Sequence, residues 1–435
     1  MRFQIVKITV LCLLIITNNN ICFADNEPGI KYDLPRCYQL ALLRSYTLKD
    51  NLSMIEQARA RISQAKASFL PTLDYNYSYF KQEKPSSISG FLTGGSLPSH
   101  LTEQTTEKLT ADQTIFNGFK DFANLKQKQS EAKAYAWALE QAKLQLYDDV
   151  ASSYFNVLEY EADEMNYNQE KETYMQRLQE IDHLIKKGRA RRSDYLSVES
   201  LLATLEANRA NNKGLLNAQR EAFSFLTGLS DDIVLDNPLP HPFEDKDLNY
   251  WLSFSDNRPL IKEAQENLKA AEKQVLSARS GYLPQADIEG NYYVKRQDGY
   301  NGVDWDMMLK VKVPIFNGGD TYSQVREYRG LLAQKENYLQ ELKDESIRDI
   351  RSAYKTVLAN EENQKKLGLA VSKSQEYCES LRKDNAMGLA PHLDVLIAIS
   401  NFYETKRLYD RAVIATQYSI AKLKSLTSDS INQLE

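Results

Sequence analysis

Four histidines, His100, His183, His241 and His392, are the residues of this 435-residue chain best suited to metal ligation or proton transfer. Zinc sites of the His-x-x-x-His kind set two ligands on one helix face, and these four are scattered with no such spacing. There is no Cys-x-x-Cys. The stretch GFLTGGS, Gly90 to Ser96, loosely resembles a phosphate-cradling loop but lacks the Gly-Lys-Ser/Thr ending. The many Asp and Glu residues read as solvated helix faces, among which no glycosidase-like carboxylate pair stands out. These side chains point to no enzyme, no cofactor and no resident metal.

A different pattern carries more information. Phe116, Asn117 and Gly118 stand in TIFNGFKD, and Phe316, Asn317 and Gly318 in PIFNGGDT, an identical Ile-Phe-Asn-Gly core 200 residues apart. Asparagine can cap exposed helical N–H groups and glycine relaxes the backbone, so this tetrapeptide suits a joint that starts a helix. GRARRSDYL, Gly188 to Leu196, answers GLAPHLDVL, Gly388 to Leu396, at the same spacing. QAKASFLP, ending at Pro71, resembles SARSGYLP, ending at Pro284, at a spacing of 213. Three matches in one order imply a duplicated unit.

Each unit reads as helix, Leu-Pro, strands, Phe-Asn-Gly, a very long helix, a glycine turn and another helix. Phe119 to Lys187 contains no Pro or Gly and at 1.5 Å per residue predicts a helix on the order of 100 Å long. Tyr174, Leu178, Ile181 and Ile185, and then Tyr195, Val198, Leu202 and Leu205, follow heptad spacing, so these helices pack side by side. The second unit repeats the feature from Asp320 to Met387, interrupted only by Gly330 and Gly368.

Four strands are expected, at about 72–81, 107–116, 285–295 and 304–315. In the last, Trp305, Met307, Leu309, Val311, Val313 and Ile315 share one face, while Asp304, Asp306, Met308, Lys310 and Lys312 occupy the other. Leu73, Tyr75, Tyr77 and Tyr79 alternate likewise with Asp74, Asn76 and Ser78. Two readings compete: a small antiparallel sheet against a core, or part of an outer-membrane barrel with outward apolar and inward polar side chains. Four strands cannot close a barrel, and an open edge in lipid leaves backbone groups unpaired, so the second reading requires oligomerisation.

Residues 1–24 read as a secretory signal peptide, with Arg2 and Lys7 ahead of an apolar run from Ile8 to Ile16 and a small residue at Ala24. Cys22 is not preceded by the small residues expected before a lipidated cysteine. Removal of two basic residues would make the chain more acidic than its formal net charge of −5, which disfavours nucleic acid as a partner. Cys37 and Cys378 would remain in an oxidising compartment, either paired or as two free thiols.

With these duplicated signatures in order around such long helices, the chain from about Leu34 to Thr427 resembles the TolC-type outer-membrane efflux protein family. The resemblance implies a mainly α fold with a membrane β-barrel portion. Four strands per protomer would give a homotrimer with a 12-stranded barrel in outer-membrane lipid on a long α-helical tunnel through the periplasm. It implies an exit duct for a tripartite efflux pump or a type I secretion system, partnered by a periplasmic adaptor and an inner-membrane transporter of RND or ABC type. The chain then divides into a signal peptide at 1–24, a first repeat at 25–228, an equatorial linker at 229–256, a second repeat at 257–428 and a tail at 429–435. Pro71, Pro284 and the two Phe-Asn-Gly sequences become the strand–helix junctions.

In this family the far turns form a periplasmic tip that closes the tunnel. Asp394 matches an aspartate of the constriction, but Ile397 stands where a second acidic residue occurs. Asp194 matches an aspartate of the gate-holding hydrogen bonds, while Ala390 and Asn385 occupy the positions of its Arg and Tyr partners. Arg189, Arg191 and Arg192 give the first turn positive charge, as a solvated basic loop or as a site for adaptor docking or gate salt bridges. The competing reading of another class is a soluble periplasmic coiled-coil scaffold or adaptor, which accounts for the helices but not for the aromatic-rich strands.

Overall fold

The computed structural model describes residues 31–81, 103–230, 233–237, 243, 246–296 and 302–427. The expected signal peptide over 1–24, Cys22, the loop holding Gly90 to Ser96, His100, His241 and the tail at 429–435 lie outside these residues. In chain order the elements are β1 (Lys31–Tyr32), α1 (Leu34–Arg44), α2 (Tyr46–Ala67), β2 (Thr72–Lys81), β3 (Glu103–Phe116), α3 (Lys120–Lys186) and α4 (Arg192–Thr227). There follow β4 (Val234–Leu235), α5 (Leu248–Leu252), α6 (Pro259–Arg279), β5 (Gln285–Arg296), β6 (Trp305–Lys312), α7 (Asp320–Ala386) and α8 (His392–Thr427).

The long helices α3 and α7 each run for 67 residues, and α4 and α8 for 36. Their starts and ends differ by 200, the spacing of the sequence repeat. Gly330 and Gly368 sit inside α7 without breaking it, because a single glycine costs a helix only about 1 kcal/mol. Toward the strands, α3 lies between α2 and α6, with α7 beyond α6; toward the far end, α3 lies between α4 and α8, with α7 beyond α8. A curtain of helices results, in which α3 is interior along its whole length and α7 is an edge.

Tyr174, Ile181, Val198 and Leu205 are buried in one core with Leu396 and Ile399, and Leu178, Ile185, Tyr195 and Leu202 pack around it, as the heptad spacing predicts. A second core forms at mid-length, where α1 and the parallel β1–β4 pair cover Val150, Tyr154 and Val157 of α3. The Tyr154 hydroxyl there has the carbonyl oxygens of Asp236 and Tyr32 both within reach, and they share its one proton. Trp251 of α5 stacks on Phe243 and packs beside Tyr354 of α7 at a similar height. Cys37 belongs to the mid-length core and Cys378 to the far one, so the two are free thiols rather than a bridge. Burial pushes the Cys37 thiol up to about 12, which leaves it unreactive at neutral pH.

β2, β3, β5 and β6 form one antiparallel sheet in that order. β2 pairs with β3 and β5 with β6, and β3 pairs with β5 to join the two repeats. The strand expected at 107–116 begins earlier, at Glu103, because β2 continues to Lys81 and pairs with it there. The strand expected at 304–315 ends at Lys312: Pro314 has no N–H for a ladder and restricts Val313, leaving Val313 and Ile315 beyond the strand.

One seam between the repeats is polar. Asp163 of α3, 0% exposed, is held by the Arg411 guanidinium of α8, and Arg407 donates to Glu170 at 2.6 Å. Between them the Asn166 amide donates to Asp410 at 2.7 Å. Such pairs fix helix register, and their loss is asymmetric, since removing one partner strands a buried charge. Arg411→Ala should lower unfolding free energy in detergent by about 3 kcal/mol or more, whereas Asp163→Leu with Arg411→Met should recover most of it. Denaturant titration checks this, and equal losses in both variants would contradict the assignment.

Candidate functional site: the strand belt and the helix tip

Strand alternation gives the sheet two unlike faces. Leu73, Tyr75, Tyr77, Tyr79, Trp305, Met307, Leu309 and Val311 are all exposed on one of them. A face this apolar and this large is not a water-facing surface. The opposite face carries a continuous hydrogen-bond row. The Asn76 amide donates to Thr110 Oγ1 at 3.2 Å, Thr110 donates to Asn291 Oδ1 at 2.9 Å, and Asn291 Nδ2 donates to Asp306 Oδ1 at 2.9 Å. Lys108 Nζ adds a bond to Asn291 Oδ1 at 2.8 Å, and the Tyr293 hydroxyl donates to Asp306 Oδ2 at 2.9 Å. Apolar outside and hydrogen-bonded polar inside is the pattern of a barrel wall around water.

The junctions are built as the tetrapeptides require, with two departures. Gly118 has φ of 67° and Gly318 of 70°, a region a Cβ disfavours. Gly118 is also a point of close approach, since a Cβ there would lie 2.7 Å from the Ser280 carbonyl oxygen. Asn117 caps as expected, its Oδ1 accepting from the Asp121 N–H at 3.3 Å. Asn317 does not: its amide donates to Thr321 Oγ1 at 2.5 Å. Phe116 packs edge-on against Phe119, whose own φ of 66° costs about 1–2 kcal/mol for a residue with a side chain. The corresponding Phe316 is 88% exposed, because glycine at 319 replaces the second ring. Pro71 and Pro284 fall where expected, between helix ends and the first residues of β2 and β5.

At the far end two glycine turns close the helix hairpins, with Gly188 at φ 70° and Gly388 at φ 78°. Asp194 does not reach across to the second hairpin. Its Oδ2 accepts from the Arg191 N–H at 3.0 Å and caps α4 locally. Asp394 sits exposed in the first turn of α8. Arg189, Arg191 and Arg192 are exposed; Arg189 lines a cavity, and Arg192 lies over the Tyr195 ring at 4.6 Å.

The link between hairpins comes from a residue that sequence reasoning passed over, Arg177 of α3. Its Nη2 donates to Asn385 Oδ1 at 2.5 Å and to His392 Nδ1 at 2.7 Å, while Nη1 pairs with Glu180 at 2.7 Å. Asn385 Nδ2 in turn donates to the Ala390 carbonyl at 2.7 Å. These groups line a cavity of about 760 Å³, together with His183, Arg189 and Arg382. Burial, and then the Arg177 charge, hold the His392 ring below the usual imidazole range, against the opposing pull of Asp194 and Glu180. A neutral ring is the one that can accept from a guanidinium. The available signal was His392 directly after Pro391 at the turn, which a search for histidine pairs does not catch.

No helix among the described residues is long and apolar enough to cross a membrane. The chain is 23% identical to outer membrane protein TolC of Escherichia coli strain K12 over 86% of its length and 78% of that protein. It is 21% identical to the protease secretion protein PrtF of Dickeya chrysanthemi, over 85% of this chain and 82% of that one. Its fold superposes on a crystal structure of CusC with a TM-score of 0.81 at 15% identity, covering 93% of this chain and 96% of CusC. A profile of the outer membrane efflux protein family matches residues 37–229 and 253–427, and the chain therefore belongs to that family of outer-membrane channel proteins.

Proposed function

We propose that three copies of this chain form a passive exit duct, a barrel through the outer membrane continued by a helical tunnel across the periplasm. A periplasmic adaptor joins it to an inner-membrane transporter of RND or ABC type, which supplies the energy. One observation carries this reading. The sheet and the helical curtain are open along the same two edges, β2 with α2 and α4 on one side, β6 with α7 on the other. These edges differ, so copies associate head to tail, and a head-to-tail contact that closes makes a ring. Three four-stranded sheets would give twelve strands, within the range of membrane barrels.

The repeats at 25–228 and 257–428 then form the wall of the duct, and 229–256 forms a collar at mid-length. A soluble scaffold would share the helices, but it gives no use for an apolar sheet face backed by a polar one. Gly318→Val should reduce the amount of assembled trimer in the outer membrane, read by gel migration of unheated detergent extracts. Normal assembly of that variant, or release of the wild-type protein by salt alone, would contradict the reading.

The tip is the gate in this account, and the Arg177 link to Asn385 and His392 holds it closed. His392 has its folded-state pKa lowered, so the link is intact above that pKa and is lost as pH falls through it. Protonation sets two cations 2.7 Å apart. Single-channel conductance should rise as pH drops from about 7.5 to 5, and His392→Gln should flatten the dependence. A wild-type conductance constant over that range would sink the latch. Arg191→Ala with Arg192→Ala tests whether the basic turn contributes to closure or to adaptor docking; unchanged conductance and unchanged adaptor crosslinking would assign it to solvent.

A further inference from the structure

The cavity at the tip carries charge of one sign. Arg177, Arg189 and Arg382 line it with a single carboxylate, Glu180. That carboxylate already pairs with Arg177 Nη1 at 2.7 Å and is 58% exposed, so solvent screens what it offers the other two guanidiniums. Arg189 and Arg382 are exposed and form no ion pair among the described residues. Arg177 is the buried member, its side chain 11% exposed, and its Nε has no acceptor. Folded proteins seldom leave a buried donor of this kind unmatched. His392 adds to the imbalance. With Nδ1 accepting from Arg177 Nη2, its ring proton sits on Nε2, so the other polar atom of the ring is a donor as well.

The rest of the lining is mostly apolar. Val395 and Ile399 of α8 are fixed in the far core and reach the cavity from it, and Leu184 of α3 lies beside them in the lining. At about 760 Å³ the cavity has the size of a small-molecule site and is larger than a bare oxyanion fills.

We propose that the tip cavity binds a small organic phosphate, a monoester whose head is held by the guanidiniums and whose apolar body lies along Leu184, Val395 and Ile399. Guanidinium forks match phosphate oxygens two at a time, and three of them with one carboxylate favour a dianionic head over a singly charged one. The same field excludes amines and other cations. The groups that hold the head come from both hairpins: Arg177 and Arg189 from α3 and the turn after it, Arg382 and His392 from the end of α7 and the start of α8. A bound head therefore bridges hairpins that the Arg177 link already joins, and adds charge-assisted bonds to that link. One protomer supplies every one of these groups, so the site exists whatever number of copies assembles and whether or not the tip is the gate.

Phenyl phosphate is the probe, measured by equilibrium dialysis against the full-length protein in maltoside micelles at low salt, with empty micelles as the blank. It should bind once per chain with a Kd on the order of 0.1 mM. Inorganic phosphate lacks the apolar body and should bind about tenfold more weakly. Benzyltrimethylammonium, apolar but cationic, should not bind. Arg189→Gln with Arg382→Gln should weaken phenyl phosphate binding by about tenfold or more. Both residues are exposed, so native mass and the far-UV helix signal should stay as in the wild type. Lys187→Gln removes a neighbouring exposed charge that does not line the cavity, and should leave the affinity within about twofold. No saturable binding of phenyl phosphate would overturn the assignment, as would equal affinity for the two phosphates or for the ammonium compound. A loss with Lys187→Gln as large as with the arginine pair would overturn it too, by tracing the binding to diffuse charge.

Discussion

A backbone N–H or C=O left unpaired in hydrocarbon costs several kcal/mol, and β2 and β6 each present a row of them along an outer edge of the sheet. Everything else in this molecule follows from that constraint. The apolar face of the sheet requires lipid, lipid forbids open edges, and among the described residues the sheet has four strands with none to cover its edges. Closure must come from other copies, and the helices arrive at those copies already aligned, because each edge strand runs into an edge helix through a short junction. The glycine at Gly118 lets the chain turn from sheet to helix within a few residues while another backbone passes at contact distance.

The two ends of the long helices do different work. Near the strands the contacts are small and close, with alanine and glycine letting backbones approach. Further along, the buried carboxylates of Asp163 and Glu170 pair with Arg411 and Arg407, which fixes α3 against α8 and sets the halves of one protomer in register. At the far end this rigid seam gives way to a single cluster around Arg177, where one imidazole with a depressed pKa supplies a key acceptor.

Much of this was legible in the sequence because the repeats share a physical cause. Strand alternation from Leu73 to Tyr79 and from Trp305 to Val311 identified the sheet, and heptad spacing at Tyr174 and Val198 identified the far core. The absence of proline and glycine from Phe119 to Lys187 gave the helix length to within two residues. The misses came where one residue changes a repeated context. Pro314 cut the last strand short, and Gly319 removed the ring on which Phe316 would have packed. The Arg177 cluster was hard to see because its members come from three places, α3, the end of α7 and the start of α8, and only His392 after Pro391 gave a local sign of it. Asp194 accepts a bond from the Arg191 backbone, since an aspartate three residues into a helix can cap its own backbone, a contact that its match to a gate aspartate did not foretell.

The central claim is that the open edges of one chain are covered by two further copies around a lumen. Electron microscopy of the detergent-purified particle tests it most directly. The account predicts end-on views with three-fold symmetry and a central channel, and side views of a long cylinder with a barrel at one end. Particles of single-chain size, or end-on views without a channel, would contradict it.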